Sequence, residues 1–125
     1  MTDNLCSCGT GPKLIFPCSG ASDVGEISDR AARQLTKNGD GKMYCLAGIG
    51  GRVSGIVEST KSAAKILAID GCKMDCAKKT LQESGFTEFE HMRVVDIEGI
   101  EKGKSPPTDE RISQVVEKAQ GLLIC

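Results

Sequence analysis

The sequence predicts a three-layer α/β/α sandwich built on a four-stranded, mostly parallel sheet. Short apolar runs alternate with stretches of helical periodicity, the arrangement that lays strands parallel and covers both faces of a sheet with helices. One run, Lys65-Ile66-Leu67-Ala68-Ile69-Asp70, is apolar at every interior position, as a strand buried on both faces requires. Capping and turn residues fall between the runs rather than inside them.

Taken in order, residues 1–12 are polar and contain glycine, and are expected to form a flexible N-terminal segment carrying the Cys6-Ser7-Cys8 pair. Residues 13–125 are expected to form a single α/β domain. Lys13-Leu14-Ile15-Phe16-Pro17 is the first strand, and Cys18 to Asp23 lead out of it. Ser22 or Asp23 can cap a helix that runs to about Lys37, with Val24, Ile27, Ala31 and Leu35 on one face. Asn38-Gly39-Asp40-Gly41 ends it with turn chemistry. Lys42 to Ala47 is the second strand and Gly48 to Gly51 a glycine-rich loop. A helix from near Arg52 then buries Val53, Ile56 and Val57. After the central strand, Lys65 to Asp70, Gly71 turns the chain into a helix read as Cys72 to Ser84, with Gly85 as its stop. The fourth strand is Met92 to Ile97. A polar stretch through Pro107 leads to a last helix capped by Thr108, with Ile112, Val115, Val116 and Ala119 facing inward. Gly121 is expected to break that helix and leave Leu122 to Cys125 as an extra strand or a docked tail.

Composition narrows the function. Net charge is −1, from 16 basic and 17 acidic residues without a basic block, and one Tyr, three Phe and no Trp offer no platform for stacked bases. No nucleic-acid partner is expected. No stretch approaches the roughly 20 apolar residues of a membrane span, so no membrane partner is expected either. The N-terminal MTDNLCSCGTGPK lacks the apolar core of a secretory signal, which points to the cytoplasm, where disulfides are rare. Seven cysteines there indicate metal binding or thiol chemistry, and an odd number argues against complete pairing.

Right-handed crossovers leave two strand orders, 2-1-3-4 and 3-2-1-4, both flavodoxin- or Rossmann-like. In either one the first three strands are neighbours, and their carboxyl ends form the edge where α/β folds bind ligands. Cys18, Cys45, Cys72 and Cys76 belong to that edge. On a continuous helix Cys72 and Cys76, four residues apart, are neighbours, opposite a packing stripe of Met74, Ala77 and Leu81. A C-x₃-C pair falls within zinc-ligand spacing, and four thiolates suit a closed tetrahedral zinc site. Cys45 reads equally as a ligand or as a buried cysteine. In the second case Cys6, Cys8, Cys125 or water completes the site. The same sulfurs suit an iron–sulfur cluster.

A thiol redox or metal-transfer protein is the rival reading. The loop CSGASDVG could hold an anion beside Cys18. Cysteine phosphatase chemistry needs an arginine closing such a loop, and none lies between Cys18 and Arg30. Whether the protein is an enzyme stays open. Arg52, beside the glycine-rich loop, could meet a phosphate, though a tight turn explains the glycines more simply. Asp70 could support the thiols or cap the next helix. His91, the single histidine, reads as structural.

The segments PCSGASDVG, YCLAGIGGRV and ILAIDGCKMDCAKKTL resemble the signature blocks of the DGC-domain family. These are small prokaryotic proteins proposed to bind zinc and named for a central Asp-Gly-Cys, here Asp70-Gly71-Cys72. The resemblance covers about residues 13–121. It implies that Cys18, Cys45, Cys72 and Cys76 are the chelating set, and it leaves the biochemical role open.

Overall fold

A computed structural model describes residues 9–124. Four strands, β1 (Lys13–Pro17), β2 (Lys42–Met43), β3 (Lys65–Asp70) and β4 (Glu90–Arg93), form an all-parallel sheet in the order β2-β1-β3-β4. The helices are α1 (Asp23–Asn38), α2 (Leu46–Gly50), α3 (Ser54–Lys61), α4 (Cys76–Glu83) and α5 (Asp109–Leu123). Successive strand side chains point to opposite faces, and the core divides accordingly. Ile15, Leu67, Ile69 and Met92 meet the apolar stripes of α1 and α5. Leu14, Phe16, Ile66 and Ala68 meet Ile49 of α2, Ile56 and Val57 of α3, and Ala77 and Leu81 of α4. The three layers and the first of the two expected strand orders are therefore present. No helix among the described residues is long and apolar enough to cross a membrane.

The structure corrects several expected boundaries. β2 ends after Met43: Tyr44 donates one more bond to the Ile15 carbonyl, and Cys45 then caps α2, which replaces the expected glycine loop. Val53 is exposed at the start of α3 instead of buried. The helix expected from Cys72 begins only at Cys76, because Asp75 takes a left-handed backbone (φ 57°) that a helix cannot continue through. Met74 is consequently exposed and does not share the stripe of Ala77 and Leu81. β4 starts at Glu90 and stops at Arg93, where its partner β3 runs out at Asp70, and Val94–Asp96 form a 3₁₀ turn. Gly121 does not break α5. Burying Leu123 contributes about 2 kcal/mol, which outweighs a mid-helix glycine's cost of about 1 kcal/mol. Cys6, Cys8 and Cys125 lie outside the described residues.

Two tertiary ties position the carboxyl edge of the sheet. Gly71 packs against the start of α1 so closely that a Cβ there would lie 2.8 Å from the Val24 carbonyl and 2.9 Å from the Gly25 nitrogen. The segment between the 3₁₀ turn and α5 is held by Asp23, whose carboxylate accepts from the N–H groups of Gly103 (2.9 Å) and Ser105 (3.0 Å) as well as Val24 (2.8 Å). Those N–H groups, Gly103 first, hold the Asp23 carboxyl below its ordinary range despite partial burial.

Gly71→Ala is expected to cost about 2 kcal/mol or more in a urea unfolding curve, because the obstructing atoms are backbone. Asp23 favours the folded state when ionised, so its contribution is complete above the free-carboxyl value of 3.8 and fades as pH falls through its lower native value. Asp23→Asn should lower unfolding free energy by about 1–3 kcal/mol at pH 7. The gap to wild type should shrink in unfolding curves taken near pH 3.

Candidate functional site

The switch point of this sheet lies between β1 and β3, where one connection departs toward α1 and the other toward α4 on the opposite face. Cys18 is the first residue past β1. Its N–H donates to the Ile69 carbonyl (2.9 Å), which extends the β1–β3 ladder by one bond. Its sulfur accepts from the Gly71 N–H at 3.3 Å and lies 3.3 Å from the Ser28 hydroxyl. Buried Ser28 donates to the Gly25 carbonyl (2.9 Å), so a neutral Cys18 thiol is placed to donate to Ser28. Ser19 has a left-handed backbone (φ 50°) and donates to Asp29 (2.7 Å), which also accepts from Arg33 Nε (2.8 Å). Burial would raise the Asp29 carboxyl, but the bonds from Arg33 and Ser19 outweigh it and hold the group low.

Cys45 stands on the outer side of Cys18. It is exposed rather than buried in the core, and its sulfur accepts from the Gly48 N–H (3.3 Å) as the cap of α2. Cys18 and Cys45 line one cavity of about 550 Å³, together with Tyr44, Leu46 and Thr80. Thr80 lies one turn along α4 from Cys76 and donates to its carbonyl (2.6 Å).

On the inner side, the turn from Gly71 to Asp75 carries Cys72, and Cys76 opens α4. Cys72 is half-buried against the α1–α5 core, with Lys102 Nζ 3.6 Å from its sulfur; Cys76 is exposed. Asp70, buried at the end of β3, caps α4 by accepting from the N–H groups of Ala77 (2.7 Å) and Lys78 (3.1 Å). His91 Nε2 reaches the same carboxylate at 2.8 Å. Asp75 is buried as well and is gripped by Arg93 through two parallel bonds of 2.7 Å. The Arg93 bonds hold the Asp75 carboxyl low against the opposing effect of burial, helped by the charges of Arg93, His91 and Lys78. The pairing raises Arg93 in turn.

The structure therefore gathers the four expected cysteines at one edge, with Cys18 as the link. Adding standard backbone lengths to the Cys18–Gly71 bond puts the Cys72 Cα within about 9 Å of the Cys18 sulfur. Metal distance is closer. Tetrahedral ligation at about 2.3 Å sets sulfurs about 3.8 Å apart. Among the described residues, only Asp70, Asp75 and His91 bring three candidate ligand atoms within 4.8 Å of one another. The cysteines suit zinc in donor chemistry and share the carboxyl edge, yet no three of their sulfurs lie within 4.8 Å of one another, so a shared centre requires their side chains to move together. The Asp70–Asp75–His91 group fits a cation poorly. Arg93 occupies one carboxylate, and helix N–H groups and His91 occupy the other.

Sequence reading misses the Asp75–Arg93 and Asp70–His91 pairs, because they join segments far apart in the chain. Only the register, Asp70 beside Arg93 and Ala68 beside His91, exposes them. Asp70 does cap the helix, and its fork of bonds also makes His91 part of this edge. Arg52 donates to the Glu83 carbonyl (3.1 Å) at the far end of α4, while Gly48 and Gly50 lie within α2 rather than in the tight turn expected beside it.

The DGC domain family model matches residues 14–119. Among curated proteins, the anaerobic and virulence modulator AnvM of Pseudomonas aeruginosa is 38% identical over 68 residues, covering 54% of this chain and 52% of that protein. The chain thus spans about half the length of this curated relative. No solved structure matches.

Exposure predicts an order of thiol reactivity in metal-free protein. Cys45 and Cys76 should be alkylated by iodoacetamide before Cys18 and Cys72, as read by peptide mass spectrometry at short times. Equal rates at all four would contradict the arrangement.

Proposed function

The chain belongs to the DGC-domain family, and from that premise we propose that it binds zinc through Cys18, Cys45, Cys72 and Cys76 at the carboxyl edge of its sheet. The observation that carries the reading is the bond from the Gly71 N–H to the Cys18 sulfur, which ties a cysteine of the first strand–helix junction to the turn bearing Cys72. Soft thiolates select zinc over hard cations. Bound zinc would supply a staple between segments that are otherwise separate loops, and a closed set of four sulfurs leaves no position for substrate. The protein residues supply ligands, hold the loop spacing through Gly71, and cap α4 through Asp70.

A modulatory role in the cytoplasm suits this chemistry. The relative's name describes a modulator linked to anaerobic conditions, and a thiolate centre is a group that oxygen and peroxides alter. The thiol-redox and iron–sulfur alternatives use the same cysteines. The redox alternative draws on Cys18, whose sulfur already meets an N–H donor and a hydroxyl.

Protein purified without oxygen should contain about one zinc per chain by elemental analysis and lack visible absorbance; a brown colour would assign the site to iron and sulfur instead. Cys72→Ser and Cys76→Ser should each lower zinc content, and with it the gain in Tm that zinc confers, because binding and folding are coupled. Unchanged stoichiometry in both variants would overturn the reading.

A further inference from the structure

The turn that holds Cys72 and Cys76 has one backbone bond of its own, from the Asp75 N–H to the Cys72 carbonyl (3.3 Å), and is otherwise tied to distant residues. Asp75, the residue before Cys76, has a left-handed backbone at φ 57° and ψ 42° and only 7% of its surface exposed. That conformation is uncommon outside glycine, though aspartate and asparagine reach it more readily than other residues, and a buried residue there is held by its surroundings. The Asp75 carboxylate is held by Arg93, at the end of β4, whose Nε and Nη2 each meet one oxygen at 2.7 Å, with His91 Nε2 3.6 Å from the same carboxylate. The residues after Cys76 are fixed from the other side, by the Asp70 carboxylate on the N–H groups of Ala77 and Lys78. Cys76 is thus held between two clamps, and one of them originates on a strand that contributes no cysteine. β4 itself is set by its register on β3, with Arg93 opposite Asp70.

We propose that Arg93 is a positioning residue for the thiol edge: its two-pronged grip on Asp75 sets where the Cys76 sulfur stands relative to Cys72, and so sets zinc affinity. The affinity part rests on the zinc reading above; the placement of Cys76 does not. A forked guanidinium fixes the direction of a carboxylate as well as its distance, which an ammonium cannot do. Partners that orient metal ligands from outside the coordination sphere affect affinity about 10- to 100-fold.

The test compares wild type, Arg93→Gln, Arg93→Lys, Asp75→Asn and a control truncation remote from the edge, Val116→Ala in α5. Zinc affinity is read by competition with a colorimetric chelator. Separately, the alkylation rate of Cys76 relative to Cys45 is read in metal-free protein. Arg93→Gln should weaken zinc binding at least tenfold and raise the Cys76 to Cys45 ratio severalfold. Arg93→Lys should recover part of both, and Val116→Ala should change neither. Asp75→Asn tolerates the left-handed backbone, so it removes the charge pair in a variant that folds even where Arg93→Gln does not. It should behave as Arg93→Gln does. Wild-type zinc binding with unchanged affinity in the Arg93 and Asp75 variants overturns the inference and leaves the zinc reading intact. Equal losses in Val116→Ala also overturn it, since the effect would then be general destabilisation. No zinc bound by wild type overturns the zinc reading and the affinity claim with it. The alkylation ratio then decides the placement of Cys76 alone, and an unchanged ratio overturns that too.

Discussion

The closeness of Gly71 to the first turn of α1 is the constraint on which the rest of the carboxyl edge depends. With no Cβ at this position, the end of β3 presses onto Val24 and Gly25. From there the Gly71 N–H reaches the Cys18 sulfur, while the Gly71 carbonyl accepts from Val95 beyond β4. One glycine therefore couples three consecutive parallel strands where their connecting loops diverge. A larger residue would push α1 away from the sheet and separate Cys18 from the Cys72 turn together.

The polar groups beside this contact form a second organising layer. Asp70 and Asp75 are both buried, and burying a carboxylate is costly unless it is well partnered. Each has several donors, drawn from α4, from His91 and from Arg93. The cluster is better understood as specifying one path for the turn than as a source of stability. A hydrophobic filling of the same volume could hold the layers together equally well, but it would leave the backbone of Asp75 free to choose another conformation.

The fold class was legible because it is written in local patterns: the apolar runs at Leu14–Phe16 and Ile66–Ile69, and the stripes of α1 and α5. Ser22, Thr108 and Gly39 act at the boundaries where their chemistry suggests. The meeting of Cys18 with the Cys72 turn was also legible, since parallel topology alone brings those junctions to one edge. What was not legible depends on distant partners. Nothing near Asp75 marks where the helix must start, so periodicity alone begins it at Cys72, four residues too early, and pairs Cys72 with Cys76 on a helix that opens only at the second of them. The same blindness hid Asp23, whose role is to hold Gly103 and Ser105, eighty and more residues away. A side-chain cap made by sulfur, as at Cys45, likewise turned glycines that look like a loop into α2.

The borders of the sheet carry a further consequence. β2 is two residues long and β4 is four, with Glu90, His91 and Arg93 supplying charge and polarity along the latter. Unpaired strand edges are templates for aggregation when they are long, flat and apolar, and neither border here meets that description. Strand addition from a neighbouring molecule is therefore a poor mode of association for this domain.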